Sequence, residues 1–227
     1  MVNYYVLNIK DINFDKLDAK WNNSPKNAIA KALKHKNPKD KLRSLSGEIL
    51  VRYALQQNFS LAPSIEFSYK EKGKPFLSEK NIHFNISHSG DWVVCSTAQN
   101  KVGIDVEKIK KEKLKVANRF FSEREIDYLS NTSEEKKDEE FTRLWTIKEA
   151  YLKFLGTGLT KALNTFTAKK EENGFVLYDD NILLKEIKIH SHKLDNENFI
   201  AVCYTGEKIH KQPQIILFDQ LLKFITK

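Results

Sequence analysis

Three short stretches of this chain carry residue types and spacings that could do chemistry. Val102-Gly103-Ile104-Asp105-Val106-Glu107 sets two carboxylates two residues apart. On a strand, alternate side chains share a face, so Asp105 and Glu107 would lie together, their Cα atoms about 6.6 Å apart. Val102, Ile104 and Val106 would then point to a core. Carboxylates that close repel unless water screens them or a cation sits between them, so this face is either an exposed polar surface or part of a cation site. Trp145-Thr146-Ile147-Lys148-Glu149-Ala150-Tyr151-Leu152-Lys153 sets Glu149 and Lys153 one helical turn apart. Asn85-Ile86-Ser87-His88-Ser89-Gly90 sets Ser87 and His88 at a predicted turn, where backbone N–H groups and hydroxyls suit a phosphate. A lone histidine is more often structural. Together the three supply hard oxygen ligands for a metal such as Mg²⁺, and cations for the phosphates it would bridge. That is the equipment of an enzyme acting on a phosphoanhydride.

The elements that must position these groups follow from the periodicity. Phe141 to Leu155 is the clearest predicted helix, with Phe141, Leu144, Trp145, Leu152 and Leu155 as its apolar stripe and Gly156 and Gly158 closing it. Glu149 falls on or beside that stripe, where an ionised carboxylate needs a metal or cation. The bland reading is a surface pair with Lys153 worth about 0.2–0.5 kcal/mol. Upstream, Asn131 to Glu140 reads as a charged loop or helix start, and Ser122-Glu123-Arg124-Glu125 matches a capping box. Ser24-Pro25 predicts a helix start with serine as cap, Asn37-Pro38 interrupts that helix, and Lys41 to Gln57 predicts a second one carrying Arg43. Strands are predicted at Tyr4–Ile9, Ile65–Tyr69, Phe84–Ile86, Trp92–Thr97, Phe166–Lys169, Phe175–Leu177, Leu183–Ile189 and Phe199–Tyr204, with Ile215–Phe218 as a last strand or helix edge. Lys72-Gly73-Lys74-Pro75 is a charged turn. The chain shows no internal repeat.

The 227 residues suffice for one large domain or two small ones, and 41% hydrophobic content with 14 phenylalanines argues against disorder. A net charge of +8 favours anionic partners without choosing among them. The two cysteines, Cys95 and Cys203, sit in strand-like runs with no metal-type spacing, as expected of reduced core thiols. The first ten residues lack a signal-peptide pattern, and no apolar run approaches the roughly 20 residues that span a bilayer. The expectation is a cytoplasmic protein without membrane association.

These motifs, in this order and spacing, resemble the phosphopantetheinyl transferases of the surfactin-synthetase-activating type. The resemblance runs over nearly the whole chain. It is carried by Gly73-Lys74-Pro75, by Phe84-Asn85-Ile86-Ser87-His88-Ser89-Gly90 and by Gly103-Ile104-Asp105-Val106-Glu107. It is carried further by Arg119-Phe120-Phe121-Ser122 with Glu125, and by Trp145-Thr146-Ile147-Lys148-Glu149 with Lys153. It implies an α+β fold of two similar α/β halves related by a pseudo-twofold, residues 1–101 and 102–227, with the ligand cleft between them. It implies Mg²⁺-dependent transfer of the 4′-phosphopantetheine group of coenzyme A to a serine of an apo acyl or peptidyl carrier protein, releasing 3′,5′-ADP, with Mn²⁺ able to substitute. Asp105, Glu107 and Glu149 map onto the metal site, and Lys153 onto the lysine near the pyrophosphate. Arg43 and His88, with Ser87 beside them, map onto the 3′-phosphate side, and Lys72, Lys74 and Pro75 onto the adenine side. Glu149 is the first choice of base and Glu107 the second. Where the family carries further basic residues upstream of Arg43, this chain has Asn27-Ala28-Ile29-Ala30, with Lys26 or Lys31 nearby. A monomer is implied, since both halves belong to one chain.

Three rivals stand beside this reading. A catalytically inactive coenzyme A-binding protein on the same fold conflicts with the presence of all three carboxylates and Lys153. A nucleic-acid binder would use the net charge, but basic and acidic residues are interspersed and no such motif occurs. A Mg²⁺-dependent phosphohydrolase would use water in place of the serine.

Overall fold

The computed structural model describes residues 1–12, 24–69, 74–78, 81–111, 114–206 and 208–226. In chain order the elements are β1 (Asn3–Asn8), α1 (Lys26–Leu33), α2 (Pro38–Phe59), β2 (Ser68–Tyr69), β3 (Pro75–Phe76), β4 (His83–Ser89), β5 (Trp92–Ala98) and β6 (Val102–Lys108). Then come α3 (Leu114–Phe120), α4 (Glu123–Ser130), α5 (Glu134–Leu155), β7 (Phe166–Glu171), β8 (Gly174–Asp179), β9 (Ile182–Leu183), β10 (Ile187–Lys193), β11 (Asn198–Thr205), β12 (Gln214–Ile216) and α6 (Phe218–Ile225). The chain is a mixed helix and sheet protein of the α+β class.

It divides into two compact units, Met1–Gln99 with His210–Lys227, and Asn100–Ile209. The C-terminal segment, read from the sequence as part of the second half, therefore belongs to the first. β12 pairs parallel with β1, Val6 opposite Ile215, and Phe224 of α6 meets Tyr53 of α2 edge-on at 5.6 Å. A parallel partner so far along the chain leaves no local signature.

In the first unit the sheet order is β12-β1-β5-β4. α2 packs on it through Leu45, Ile49 and Leu55, against Tyr5, Leu7, Val93 and Cys95. Asn37 does more than interrupt the preceding helix. Its side chain accepts from the Lys39 N–H at 2.8 Å, and Pro38 follows as the first helical residue, so the pair starts α2. Ser24 caps nothing; Pro25 holds the N-cap position of α1.

In the second unit β6 lies at the edge of the order β10-β11-β6, and β7-β8-β9 forms a separate antiparallel sheet. The predicted strand Leu183–Ile189 is interrupted, because the Ile187 N–H turns back to the Leu184 carbonyl. α5 is 22 residues long and starts seven residues before the predicted Phe141. Acidic Glu134 and Glu135 in its first turn favour the helix N-terminus, and this outweighs the polar composition that reads as loop. At its other end Gly156 adopts φ 74°, a left-handed cap whose N–H bonds to Leu152.

α5 covers the face of β6 that carries Gly103, Asp105 and Glu107. A Cβ at position 103 would lie 2.2 Å from the Ala150 carbonyl oxygen and 2.4 Å from the Phe154 amide nitrogen, so only glycine permits this approach. Gly103→Ala should push α5 off the strand, costing about 1–3 kcal/mol by overpacking, and should lower turnover along with stability. Chemical denaturation beside activity assays checks this, and unchanged values in both would contradict the packing.

On β10, His192 is partly buried beside His190, their rings 4.9 Å apart. Burial first, then the charges of His190 and Arg143, lower its pKa from 6.5 to about 4. The unfolded chain thus takes up a proton at higher pH than the folded one, and the stability this histidine contributes is lost as pH falls from about 6.5 to about 4. His192→Gln should flatten that part of the stability curve; an unaltered curve would exclude the assignment.

Cys95 and Cys203 are free and buried, and burial pushes both thiols above their ordinary range.

Candidate active site

The carboxylates gather on one strand–helix contact of the second unit. In the sheet, Asp105 stands opposite Ala201 and Glu107 opposite Phe199. With Gly103 touching Ala150 and Phe154, the groups two and four residues further along β6 run back down α5 toward its N-terminus. Asp105 is 3% exposed, so the surface-face reading fails: the helix covers it. Lys153 Nζ donates to Asp105 Oδ1 at 2.6 Å. The lysine one turn from Glu149 thus reaches across to the strand instead of forming a surface pair on its own helix. Burial and the charge of Asp105 raise the Glu149 pKa, opposed by Lys153. Glu107 lines a cavity of about 230 Å³ with Lys108, Phe141, Thr142 and Trp145. Trp145 is held there by Phe120, edge-on at 5.4 Å, and stacks on Phe141 at 6.3 Å.

Among the described residues no three His, Cys, Asp or Glu groups already converge at metal-binding geometry. The donor set still suits a hard divalent cation. Asp105 and Glu149 are near enough for one to raise the other's pKa, and the Lys153 ammonium acts on both. Such a pair gains from a further positive charge with oxygen preference.

The predicted phosphate-side residues lie in the first unit. Ser87 and His88 are not at the turn but within β4, on opposite faces; Ser87 is buried and His88 exposed. The turn itself is Gly90-Asp91, with Gly90 at φ 58°. Arg43 comes to this end of the hairpin, donating through Nε (2.9 Å) and Nη2 (2.5 Å) to the Gly90 carbonyl and through Nη1 to Asp40 at 2.6 Å. Lys39 pairs with Asp91 of the same turn. Lys74 precedes Pro75, which pairs with Tyr69, and Lys31 Nζ lies over the Tyr69 ring at 5.6 Å. Lys26 lines a different cavity, beside Arg52. Lys72 lies outside the described residues.

Comparison with known proteins now decides the family. The 4′-phosphopantetheinyl transferase superfamily model matches residues 101–203, and the model of the 4′-phosphopantetheinyl transferase N-terminal region matches residues 16–100. The 4′-phosphopantetheinyl transferase Sfp of Bacillus subtilis (strain 168) is 33% identical over 185 residues, 81% of this chain and 83% of that protein. The chain belongs to the 4′-phosphopantetheinyl transferase family. The transferase gsp of Aneurinibacillus migulanus is 41% identical over 150 residues, 66% of this chain and 63% of that one. A solved holo-(acyl-carrier-protein) synthase of Bacillus anthracis, in complex with CoA (3′,5′-ADP), covers 48% of this chain and 96% of its own at 21% identity and a TM-score of 0.40, a likeness too slight to carry a fold assignment.

What sequence reasoning missed in this transferase is Lys148, beside Glu149. It is fully buried, and Nζ donates to both carboxylate oxygens of Glu125 and to the Phe166 carbonyl, each at 2.6 Å. Glu125 also accepts from the Ser122 and Ala168 N–H groups at 2.8 and 2.7 Å. The capping-box glutamate therefore also ties α4, α5 and β7 together. Burial lowers the Lys148 pKa while Glu125 raises it. The available signal was a lysine amid Ile147, Ala150 and Tyr151 on the buried side of the helix, which needs a carboxylate.

Proposed function

We propose that this transferase moves the 4′-phosphopantetheine group of coenzyme A onto a serine of an apo acyl or peptidyl carrier protein, releasing 3′,5′-ADP. The observation that carries the assignment is the joining of Asp105, Glu149 and Lys153 on the β6–α5 contact, with Glu107 two residues further along the strand. In this reading Asp105, Glu107 and Glu149 hold Mg²⁺, or Mn²⁺ in its place. Bound there, the ion would neutralise charge building on the phosphates as the bond to the pantetheine-side phosphate breaks. Lys153, held by Asp105, would offset the same charge. Glu149 takes the serine proton; its raised pKa makes it a better acceptor than an ordinary glutamate. Glu107 is the alternative base. Lys74 and Pro75 line the adenine side, and Lys26 or Lys31 helps hold the 3′-phosphate; Lys31 Nζ lies over the ring of Tyr69, whose strand pairs with Pro75. The enzyme works as a monomer in the cytoplasm, without nucleic acid or membrane. No helix among the described residues is long and apolar enough to cross a bilayer.

Mass spectrometry of an apo carrier protein incubated with enzyme, Mg²⁺ and coenzyme A tests the proposal. A phosphopantetheine-sized gain is expected. Nucleotide release without modification of the carrier would replace it with the hydrolase reading.

His88→Ala should separate binding from chemistry. Loss of a hydrogen bond to a charged phosphate, about 1.5–3 kcal/mol, should raise KM for coenzyme A roughly 10- to 100-fold. With 3′-dephospho-coenzyme A the change should nearly vanish, because the partner phosphate is already gone. Arg43→Ala should follow the same pattern with some added loss of stability, as its guanidinium also holds the Gly90 carbonyl. Equal effects on both substrates would remove these residues from the 3′-phosphate.

A further inference from the structure

α2 buries an ion pair that the transfer chemistry does not use. Glu48 and Arg52 lie one helical turn apart and are 3% and 2% exposed. Arg52 Nη2 donates to Glu48 Oε1 at 3.0 Å. Taking two charges out of water offsets most of what their attraction returns, so such a pair is a poor device for stability alone. Its other contacts all fall on one stretch of chain. Arg52 Nη1 donates to the Pro63 and Ile65 carbonyls, and the guanidinium lies over the Phe67 ring at 4.2 Å. Glu48 Oε2 accepts from the Tyr69 hydroxyl at 3.5 Å. One pair thus holds residues 63–69 at four places.

That stretch needs holding. Pro63, Ser64, Glu66 and Tyr69 are exposed, and β2 pairs with β3 in a two-stranded sheet apart from the four-stranded sheet of the unit. A two-stranded ribbon is marginal in water without packing from elsewhere. Yet this ribbon carries the proposed adenine side, since Tyr69 stands opposite Pro75, and Lys74 is next to it. Two more contacts run from the same residues. Lys31 Nζ of α1 lies over the Tyr69 ring at 5.6 Å, and Phe67 packs on Phe84 of β4 at 4.8 Å. β4 is the strand of Ser87 and His88. Three elements proposed to bind coenzyme A, α1, β3 and β4, therefore each meet the stretch that Glu48 and Arg52 hold.

We infer that Glu48 and Arg52 are positioning residues for coenzyme A, acting through residues 63–69 to set the adenine-side ribbon against α2. The inference rests on the reading that Lys74 and Pro75 line the adenine side. The test uses the full chain, coenzyme A with an apo carrier protein for kinetics, and 3′,5′-ADP as the probe in calorimetry. Glu48→Met combined with Arg52→Met removes both charges and keeps the volume filled, so the melting temperature should stay near that of the wild type. In this double variant KM for coenzyme A and the dissociation constant of 3′,5′-ADP should rise about tenfold, with kcat at saturating coenzyme A within about twofold of the wild type. Arg52→Lys keeps a charge opposite Glu48 but loses the fork that serves two carbonyls and a ring, so it should shift both quantities in the same direction. Lys74→Ala reports the adenine side directly and should weaken 3′,5′-ADP by itself. If Lys74→Ala weakens 3′,5′-ADP while both Arg52 variants bind it like the wild type, the adenine-side reading stands and the positioning role is overturned. If Lys74→Ala also leaves 3′,5′-ADP unaffected, the adenine-side reading fails and the inference fails with it. A fall in kcat that follows the folded fraction, with KM and 3′,5′-ADP affinity unchanged, would likewise overturn the role and leave the pair as packing only.

Discussion

Asp105→Ala should reduce transfer to an apo carrier protein by on the order of 10²–10³-fold or more, the usual cost of removing one preorganised electrostatic group from a reaction centre. The side chain is 3% exposed, grips Lys153 at 2.6 Å and raises the Glu149 pKa. Its removal takes away a proposed metal ligand, frees Lys153 from its position, and lets Glu149 become a weaker base. Val102, Ile104 and Val106 are untouched, so the β6 ladder should persist, and Asp105→Asn, which keeps volume, separates lost charge from lost packing. Titration with Mn²⁺ under the same conditions should show loss of metal dependence together with loss of rate. Near-normal Mg²⁺-dependent turnover in both variants would end the assignment of Asp105.

Lys148→Met carries the largest expected effect on stability. Removing one partner of a fully buried ion pair typically costs about 3–5 kcal/mol. Here Glu125, 1% exposed, would keep only its backbone donors from Ser122 and Ala168, and the Phe166 carbonyl would lose its ammonium. For a chain of this length that corresponds to a fall in melting temperature of roughly 10 °C. Lys148→Met combined with Glu125→Gln should recover part of the loss, because no unpaired charge then remains buried. Activity should fall further than the folded fraction does, since α5 also carries Glu149 and Lys153. A Lys148→Met protein that melts like the wild type would show that the network adds nothing to the fold.

The residue patterns foretold much of this, for physical reasons. Alternation in Val102–Glu107 is a local property of a pleated strand, and spacing of Leu144, Trp145 and Leu152 is a local property of a helix, so both elements could be read directly. The motif order likewise brought Asp105, Glu107, Glu149 and Lys153 into one reading before any of them had a place in space. Element ends were less legible where a competing signal existed: Asn37-Pro38 can stop one helix or start the next, and the acidic run before Phe141 can be loop or first turns. His88 was misplaced into a turn because Ser, His and Gly are turn-forming types, whereas β4 extends until Gly90 supplies the positive φ.

The amino-acid sequence by itself determined which groups are available and which local face each occupies: carboxylates at alternate strand positions, a glutamate and a lysine one helical turn apart, two thiols in apolar runs. Tertiary structure alone decided what those faces meet. Gly103 has meaning only because α5 presses on it, and that contact turns an apparently exposed acidic face into a buried one. Lys153 could have paired along its helix, and the approach of β6 gave it Asp105 instead. Lys148 found Glu125 from 23 residues away, and β12 found β1 across most of the chain. Periodicity reports neighbours three or four residues off; partners brought together by burial are set by the packing of the whole unit, which no local window contains.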